Sequence, residues 1–374
     1  MTKPKDSISD RLNILFIITG LRFGGAERLL LLTCKYLRAQ YECTIKVVYF
    51  DPYAPMKKLF DEENIHTELV SRNLLTIPRL ALNIFKQRYH VIHTHLIHAD
   101  LYGRAAAILA LPLHKHVIFT TVHDVHWFRW QKSIYYLLVR WIDLLLILPK
   151  ACHVIAISNS VKELLLKSQH YQAAKISVLY NAIEINDTKK LKHYDGSFVK
   201  CLYLGRLVKE KNLFCLIDAM NLIRDDNVTL SIVGEGEEEA DLRHKVQELK
   251  MMDKITFYGA TKEPERYYQD HDIFILPSSH EGLGIVILEA FCHQLPVIGS
   301  NVHGIQELLS EQRGILFEDN NPNELADHIK TLSQNAELRS MYGQRGYDYV
   351  KQNHDIRQYV RQLNTLYYKA LTSY

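Results

Sequence analysis

The fold of this chain is decided by the stretch Ser278-Ser279-His280-Glu281-Gly282-Leu283-Gly284-Ile285-Val286-Ile287-Leu288-Glu289-Ala290. It follows an apolar run, Asp272–Pro277, whose continuous hydrophobicity is typical of a buried parallel strand. Two glycines then interrupt the chain, and a helical apolar pattern begins. The stretch therefore predicts a strand, a glycine turn and a helix in direct succession.

The predicted turn suits an anion, because backbone N–H groups and the N-terminus of a helix face the same point. Glu281 falls in the loop and Glu289 in the helix. From Gly284 to Glu289 the helix rises about 7.5 Å, comparable with the distance from a diphosphate to the ribose of a nucleotide. We therefore expect one short segment to combine a phosphate cradle, an acid for sugar hydroxyls and an acid for a ribose.

The alternation of strand and helix runs along the chain and occurs twice. At 374 residues the chain is too long for one ordinary hydrophobic core, so two domains are expected. We predict a first domain over residues 1–183, a polar linker over 184–195 and a second domain over 196–354. This alternation indicates an α/β fold with two Rossmann-like, doubly wound parallel sheets that face each other across a cleft.

Charge is distributed unevenly, although the net charge is only +3. Residues 1–180 hold 23 Lys and Arg against 13 Asp and Glu, a net of +10, whereas residues 181–374 hold 22 against 29, a net of −7. A basic half suits an anionic membrane surface, an acidic substrate or nucleic acid, although a solvated surface with a chance asymmetry would give the same numbers.

A cluster of aromatic and basic residues in the first half is a candidate membrane surface. Its members are Trp127, Arg129, Trp130, Lys132, Tyr135, Tyr136, Arg140 and Trp141. A helix that packs in the core with one polar side would produce the same pattern. No apolar run reaches the roughly 18 residues of a membrane span.

Localisation is indicated by the cysteines and by the N-terminal residues. The six cysteines form no C-x-x-C pair, which is typical of buried thiols in a reducing compartment. The apolar run Ile14–Thr19 is short for a signal peptide. We expect a cytoplasmic protein that is at most peripheral to the cytoplasmic face of the inner membrane.

Two basic residues follow the first strand of the second half. Arg206 lies in the segment Tyr203–Leu207, with which the strand ends. Lys211 stands before the next helix. A guanidinium and an ammonium at a strand end would neutralise a departing diphosphate, although two solvated basic residues would have the same sequence. Gly234 ends the next strand in a G-x-G that lacks the third glycine of a dinucleotide fingerprint. We place Gly234 near the nucleotide, with a plain tight turn as the alternative.

The first half has its own glycine turn and strand-end histidines. Gly24 and Gly25 precede a helix and allow close backbone approach to a ligand, beyond what a plain turn requires. His93-Thr94-His95 ends one strand, and His123-Asp124 ends the next. Such histidines are commonly structural. We take His123 as the functional candidate, as a hydrogen-bonding partner of a sugar hydroxyl or a developing charge that Asp124 would orient.

Two other site chemistries match parts of the sequence. The H-x-H sequence could supply two ligands of a zinc site. No third ligand stands at a clear spacing, however, so no metal is expected. Glu281 and Glu289 could form the acid pair of a glycoside hydrolase, but such a pair requires neither a glycine-rich anion cradle nor adjacent Arg and Lys.

Taken together, these segments resemble glycosyltransferase family 4, the retaining nucleotide-sugar transferases with the GT-B fold. The resemblance covers nearly the whole chain. Its motifs are E-x7-E at Glu281 and Glu289, G-R-x4-K at Gly205, Arg206 and Lys211, G-G-A-E over Gly24 to Glu27, and the segment Val302–Glu307. Asn181 matches a family position that is usually followed by glycine, whereas this chain has Ala182 there.

The resemblance implies a role for each matched residue. Arg206 and Lys211 would bind the donor diphosphate, Glu289 the ribose hydroxyls and Glu281 the donor sugar. The backbone at Gly284, Ile285 and Val286 would assist Glu281, Gly25 would approach the diphosphate from the other domain, and His123 would lie at the sugar and acceptor side. We assign His123, Glu281, Arg206 and Lys211 to catalysis. A last helix, residues 355–374, would cross back to the first domain.

The resemblance also implies a reaction. It is hexosyl transfer with retention of anomeric configuration, in which the leaving diphosphate helps to remove the acceptor proton and no metal is needed. The expected donor is a UDP-sugar carrying a hexose or N-acetylhexosamine. The expected acceptor is a lipid-linked oligosaccharide or a surface polysaccharide, and nucleic acid is not an expected partner. The alternatives are a catalytically silent nucleotide-sugar-binding protein and an epimerase of GT-B architecture.

Overall fold

The chain divides into two compact units. The computed structural model describes residues 11–123, 141–143, 145–167, 171–185 and 198–373. The first unit comprises Met1–Asn181 together with Ile356–Tyr374, and the second comprises Ala182–Asp355. Residues 186–195 of the predicted linker lie outside the described residues.

The described part of the first unit contains a seven-stranded parallel sheet in the order β3-β2-β1-β4-β5-β6-β7. Its strands are β1 Leu12–Ile18, β2 Cys43–Tyr49, β3 His66–Leu69, β4 Val91–His95, β5 Val117–Val122, β6 Cys152–Ala156 and β7 Ile176–Val178. The connecting helices are α1 Gly25–Gln40, α2 Lys57–Glu62, α3 Thr76–Gln87, α4 Ile97–Ala110 and α5 Asn159–Lys167. The central strands β4 and β5 are buried along their whole length, as parallel strands covered by helices on both faces are.

The described part of the second unit contains a six-stranded parallel sheet in the order β10-β9-β8-β11-β12-β13. Its strands are β8 Val199–Leu204, β9 Val228–Val233, β10 Ile255–Phe257, β11 Ile273–Leu276, β12 Val297–Ser300 and β13 Ile315–Phe317. Its helices are α6 Leu213–Leu222, α7 Glu239–Glu248, α8 Pro264–Asp270, α9 Ile285–Cys292, α10 His303–Leu309, α11 Pro322–Gln334 and α12 Ala336–Asn353. The predicted pair of doubly wound parallel sheets is confirmed.

Each sheet has a point where the strand order reverses. In the first sheet it lies between β1 and β4, and in the second between β8 and β11. At such a switch point the loops after the two strands diverge to opposite faces of the sheet, which leaves a crevice outside the carboxyl ends of the strands. These two crevices are the places where the fold favours ligand binding.

The last helix, α13 (Ile356–Ser373), belongs to the first unit and packs against α1. Its inner face is apolar, with Val360 and Leu363 fully buried. Tyr367 is also fully buried, and its ring meets Phe119 of β5 edge-on at 5.0 Å between centroids. Residues at the two ends of the chain therefore share one hydrophobic core.

Candidate functional site

The basic and acidic residues singled out in the second half come from the two strands at its switch point. Arg206 and Lys211 follow β8, and Glu281 follows β11. The two strands are direct neighbours, with Cys201 opposite Ile273. Because the carboxyl ends of parallel strands lie at the same edge of a sheet, these loops meet.

Lys211 and Glu281 form an ion pair between Nζ and Oε1. The side chains are only 16% and 14% exposed, so the pair is largely shielded from water. The Ser278 hydroxyl lies 3.4 Å from the same carboxylate oxygen. Lys211 ends a short 3₁₀ turn, Lys209–Lys211, whose last N–H donates to the Val208 carbonyl at 2.8 Å. The crevice thus holds one fixed cation and one fixed anion side by side.

Tyr203 stabilises the loop that follows β8 and carries Arg206. Its ring is fully buried in β8, and its hydroxyl donates to the backbone carbonyl of Arg206 at 2.8 Å. Burial raises the pKa of Tyr203 well above its ordinary value, and the nearby Glu281 acts in the same direction. The phenol therefore remains a donor and fixes the loop that carries Arg206, whose own side chain is exposed.

The glycines after β8 and β9 allow two loops to pack backbone against backbone. Gly234 has φ +143°, and a Cβ there would lie 1.8 Å from the Gly205 carbonyl oxygen. A Cβ on Gly236 would lie 2.2 Å from the Leu207 carbonyl oxygen. Gly234 also donates its N–H to the Gly259 carbonyl at 2.8 Å. The G-x-G thus brings the β9 loop against the loop of Arg206, and we assign its glycines first to this packing.

The turn before α9 is built as the glycine pattern predicts. Gly284 caps the helix in the left-handed region, at φ +81°. Ile285 and Val286 occupy the first turn, where N–H groups have no partner within the helix. Gly304 of α10 lies behind the turn, since a Cβ there would stand 2.5 Å from the Glu281 carbonyl oxygen.

Glu289 lies in α9 and is held by a tyrosine from α8. It is buried, and its Oε2 accepts a hydrogen bond from the Tyr268 hydroxyl at 2.8 Å. The Tyr268 ring stacks on His293 at 5.2 Å between centroids. His293 Nδ1 in turn lies 2.9 Å from the Glu289 carbonyl oxygen. This arrangement fixes the carboxylate in a single direction, which a hydroxyl-binding acid needs.

The glycine turn of the first unit lies at the start of α1, after β1. Gly24 precedes the helix and Gly25 is its first residue. A Cβ on Gly24 would lie 2.4 Å from the Glu27 carboxylate. The same loop carries Arg22, whose Nε donates to Asp51 Oδ2 at 2.8 Å. Both glycines therefore stand at the switch point of their own sheet.

The histidines of β4 and β5 form a connected cluster. His93 Nδ1 lies 2.6 Å from the Tyr367 hydroxyl, and His93 Nε2 lies 2.7 Å from Thr121 Oγ1. Burial lowers the pKa of His93 to about 3, so this ring is a neutral structural tie to α13. His95 Nδ1 lies 3.0 Å from His123 Nε2. Of the three rings, His123 is the one that is not fully buried.

Several contributors are not predicted as site residues, although the segments described above include Tyr203, Ser278, His95 and Gly304. They are Tyr203, Tyr268, Ser278, His95 and Gly304. Tyr268, His95 and Gly304 contact residues on other elements of the chain, whereas Tyr203 and Ser278 each contact a residue three positions further along. Other predictions lie outside the described residues, namely Asp124 and every member of the aromatic and basic cluster except Trp141. Trp141 is exposed.

No group of three or more His, Cys, Asp or Glu among the described residues could hold a metal ion. In the same part of the chain, no helix is long and apolar enough to cross a membrane.

Comparison with known families covers nearly the whole chain. Residues 23–187 match the family described as Glycosyltransferase Family 4, and residues 185–349 match the family described as glycosyl transferases group 1. The two matches meet near the junction of the two structural units.

Characterised relatives and solved structures agree with these matches. The chain is 29% identical over 294 residues to the Escherichia coli UDP-Gal:alpha-D-GlcNAc-diphosphoundecaprenol alpha-1,3-galactosyltransferase, which covers 72% of each chain. It is 29% identical over 201 residues to a Campylobacter jejuni diphospho-undecaprenol N-acetylgalactosaminyltransferase, covering 53% of this chain and 55% of that one. The crystal structure of Anabaena HepE with UDP and glucose matches with a TM-score of 0.83 and 20% identity, over 94% of this chain and 98% of that one.

Proposed function

Because the chain belongs to glycosyltransferase family 4, we propose that it is a retaining enzyme that moves a hexose or N-acetylhexosamine from a UDP-sugar to a lipid-linked oligosaccharide or a surface polysaccharide. The observation that carries the proposal is the ion pair of Lys211 and Glu281 at the switch point of the second sheet. A departing diphosphate requires a cation, and sugar hydroxyls require a fixed acceptor. This pair supplies both at one point.

The diphosphate of the donor would be held by Arg206, by Lys211 and by the first N–H groups of α9 at Gly284, Ile285 and Val286. A forked guanidinium, an ammonium and a helix N-terminus all favour the charge that grows as the glycosidic bond to the diphosphate breaks. In this proposal the protein supplies the positive charge itself, and no metal takes part. Gly24 and Gly25 would allow close backbone approach to the donor.

The remaining parts of the donor would be bound by the two acids. Glu289, oriented by Tyr268, would accept hydrogen bonds from the ribose hydroxyls. Glu281 would accept from hydroxyls of the transferred sugar, and His123 would bond to the sugar on the acceptor side. Transfer would proceed through an oxocarbenium-like state on one face, with the leaving diphosphate taking the acceptor proton. That course retains the anomeric configuration.

The choice of donor base and acceptor rests on the relatives. The Escherichia coli relative is named for UDP-Gal and for a diphosphoundecaprenol acceptor, and the Anabaena structure contains UDP. The Campylobacter jejuni relative is likewise named for a diphospho-undecaprenol acceptor. These names support a UDP donor and an acceptor anchored in a membrane.

An outer face of α3 supports peripheral membrane contact. Leu82 and Phe85 of the helix are exposed, as is Leu75 at its N-cap, and Leu74 in the preceding loop is 99% exposed. Exposed basic residues flank this face, namely Arg72, Arg79, Lys86 and Arg88. Such a surface is suited to an anionic bilayer. The apolar side chains can be buried at the boundary of the headgroups, and the basic side chains are attracted to the anionic lipids. We therefore assign this α3 face to an anionic lipid surface at the cytoplasmic side of the inner membrane.

The reaction is tested by incubating the protein with a panel of nucleotide sugars, with and without an undecaprenyl-diphosphate-linked sugar. The expected result is release of UDP that depends on the acceptor, and a product whose anomeric coupling in NMR matches that of the donor. Isomerisation without acceptor would make the protein an epimerase, and binding without turnover would make it a silent binding protein. Inversion of the anomeric centre would overturn the retaining mechanism.

Membrane contact is tested by sedimentation with vesicles containing anionic phospholipid. The unaltered protein is expected to sediment, and Leu82→Glu with Phe85→Glu is expected to remain in solution. Leu222→Glu is the matched control, because Leu222 is equally exposed but lies on α6 of the second unit. Activity on a soluble acceptor without vesicle binding would refute the membrane contact and leave the reaction standing.

A further inference from the structure

His95 stands at the junction between β4 and α4, close to the proposed sugar-binding His123. In parallel pairing His95 lies opposite Thr121, and His123 follows Thr121 by two residues, so these side chains share one face of the sheet. The Nδ1 atom of His95 lies 3.0 Å from the Nε2 atom of His123. His95 itself is 2% exposed, so it supports a neighbour rather than meeting a ligand directly.

The position of the His95 ring is determined from both sides. It stacks on His93 at 4.4 Å between centroids, and His93 is bonded at both nitrogens. The next residue, Leu96, has φ +71° and ψ 154°, a region that residues other than glycine rarely occupy. Such a conformation persists only where the surrounding packing enforces it. The strand end is therefore built to hold His95 in one orientation.

A single proton lies between the two imidazoles. Burial lowers the pKa of His95 well below its ordinary value, with His93 and His123 acting in the same direction, so His95 carries one proton at neutral pH. Its Nε2 atom is buried and has no hydrogen-bond partner among the described residues. A proton on Nε2 would be an orphaned buried N–H, which folded proteins avoid more strictly than an unused acceptor. The proton of His95 therefore belongs on Nδ1.

We propose that His95 is a positioning residue that sets the tautomer of His123. His95 donates Nδ1–H to Nε2 of His123, and His123 consequently carries its own proton on Nδ1. With Nε2 accepting from His95 and Nδ1 protonated, neither ring nitrogen of His123 has a lone pair left to act as a general base. The assignment of His123 to the sugar rests on the proposed function, whereas the tautomer itself does not.

The tautomer is measured directly, without turnover, by long-range ¹H–¹⁵N correlation NMR on protein labelled with ¹⁵N in the histidine rings. The expected spectrum shows His123 with a protonated Nδ1 and an unprotonated Nε2, assigned by loss of the signals in His123→Ala. A proton on Nε2 of His123 would overturn the proposal whether or not the protein is a transferase.

Two variants of equal shape test the functional consequence. In His95→Asn the amide N–H replaces the donor at Nδ1, whereas in His95→Asp a carboxylate accepts instead and forces the proton of His123 onto Nε2. We expect His95→Asn to keep kcat/KM within about fivefold and His95→Asp to lose about 100-fold, as when a single transition-state donor is removed.

The controls separate this effect from misfolding. Far-UV circular dichroism and urea unfolding report whether each variant is folded. Equal activity in a folded His95→Asp variant would overturn the proposal. Absence of activity in the unaltered protein, with the tautomer as expected, would instead refute the proposed function.

Discussion

The ammonium of Lys211 is ion-paired with the carboxylate of Glu281, although the two residues stand 70 positions apart in the chain. The pair joins the loops of two neighbouring strands and lies mostly out of water. Before the donor binds, each residue therefore holds the other in place. When a diphosphate enters, it offers Lys211 a second anion without requiring a large movement.

Replacing Lys211 tests its proposed contact with the diphosphate. We expect Lys211→Ala to lower kcat by about 100-fold or more, because the developing charge on the diphosphate would lose a preorganised cation. Lys209→Ala is the matched control, since Lys209 belongs to the same 3₁₀ turn but is exposed. Initial rates of UDP release measure both variants. Near-normal turnover in Lys211→Ala would remove this lysine from the mechanism.

Replacing Tyr268 tests the orientation of Glu289. Tyr268→Phe removes one hydroxyl that bonds to the carboxylate at 2.8 Å and leaves the ring stacked on His293. Since a single hydrogen bond contributes about 1 kcal/mol, we expect the donor KM to rise about fivefold with kcat little changed. Tyr258→Phe, at an exposed tyrosine of the same unit, should leave both constants unchanged. An unaltered donor KM in Tyr268→Phe would contradict the ribose assignment of Glu289.

Replacing Gly304 tests whether the Glu281 loop must pack closely on α10. A Cβ at this position would lie 2.5 Å from the Glu281 carbonyl oxygen and 2.7 Å from Gly282. We expect Gly304→Ala to displace the loop, to cost about 1–3 kcal/mol of unfolding free energy, and to lower turnover more than tenfold. Both quantities are measured on the same preparation, by thermal unfolding and by UDP release.

Gly259→Ala is the control for a glycine substitution that introduces no steric clash. Gly259 has φ +69°, but a Cβ there would meet nothing within 4 Å. We expect a loss of about 1 kcal/mol from backbone strain alone and full activity per folded molecule. If Gly304→Ala behaved in the same way, the Glu281 loop would not depend on this packing.

The stability of the first unit should fall in acid because of His93. Its pKa is lowered to about 3 in the folded state, against an ordinary value near 6.5 in the unfolded chain. Below pH 6.5 the unfolded chain therefore binds a proton that the folded one rejects, and the free energy of unfolding decreases as the pH falls toward 3. Between pH 7.5 and 5.5 this one group accounts for about 1.4 kcal/mol.

The measurement is urea unfolding followed by far-UV circular dichroism. His93→Gln cannot titrate, so its loss of stability over the same interval should be smaller than that of the unaltered protein by about 1.4 kcal/mol. Burial raises the pKa of Asp100 to about 7, so this group increases the free energy of unfolding as the pH falls. Its contribution is the same in the unaltered protein and in His93→Gln. An identical pH dependence in the two proteins would show that His93 is not held neutral.

The sequence predicts the location of the site better than its contacts. Arg206, Lys211 and Glu281 could be placed together because each follows a parallel strand, and strand ends of one sheet share an edge. That Lys211 pairs with Glu281 depends on β8 and β11 being neighbours, which the spacing along the chain does not fix. Tyr268 could not be foreseen, since its hydroxyl reaches Glu289 from another helix.

The histidines illustrate the same limit. His93 and His95 are two residues apart on one strand and have the same local pattern. Their roles diverge because Tyr367, 274 positions away, bonds to one, and His123 bonds to the other. Local sequence indicates that a strand ends in histidines, and only the packed sheet shows which ring is structural and which one orients a neighbour.

The position of α13 in the first unit also has a consequence for folding during synthesis on the ribosome. The second unit is a continuous segment that ends at Asp355, whereas the first unit is completed only by Ile356–Ser373 and the bond from Tyr367 to His93. Although nascent chains commonly acquire their domains in order from the N-terminus, here the later-encoded domain has all its residues first. The first unit cannot complete its hydrophobic core until α13 has left the exit tunnel of the ribosome.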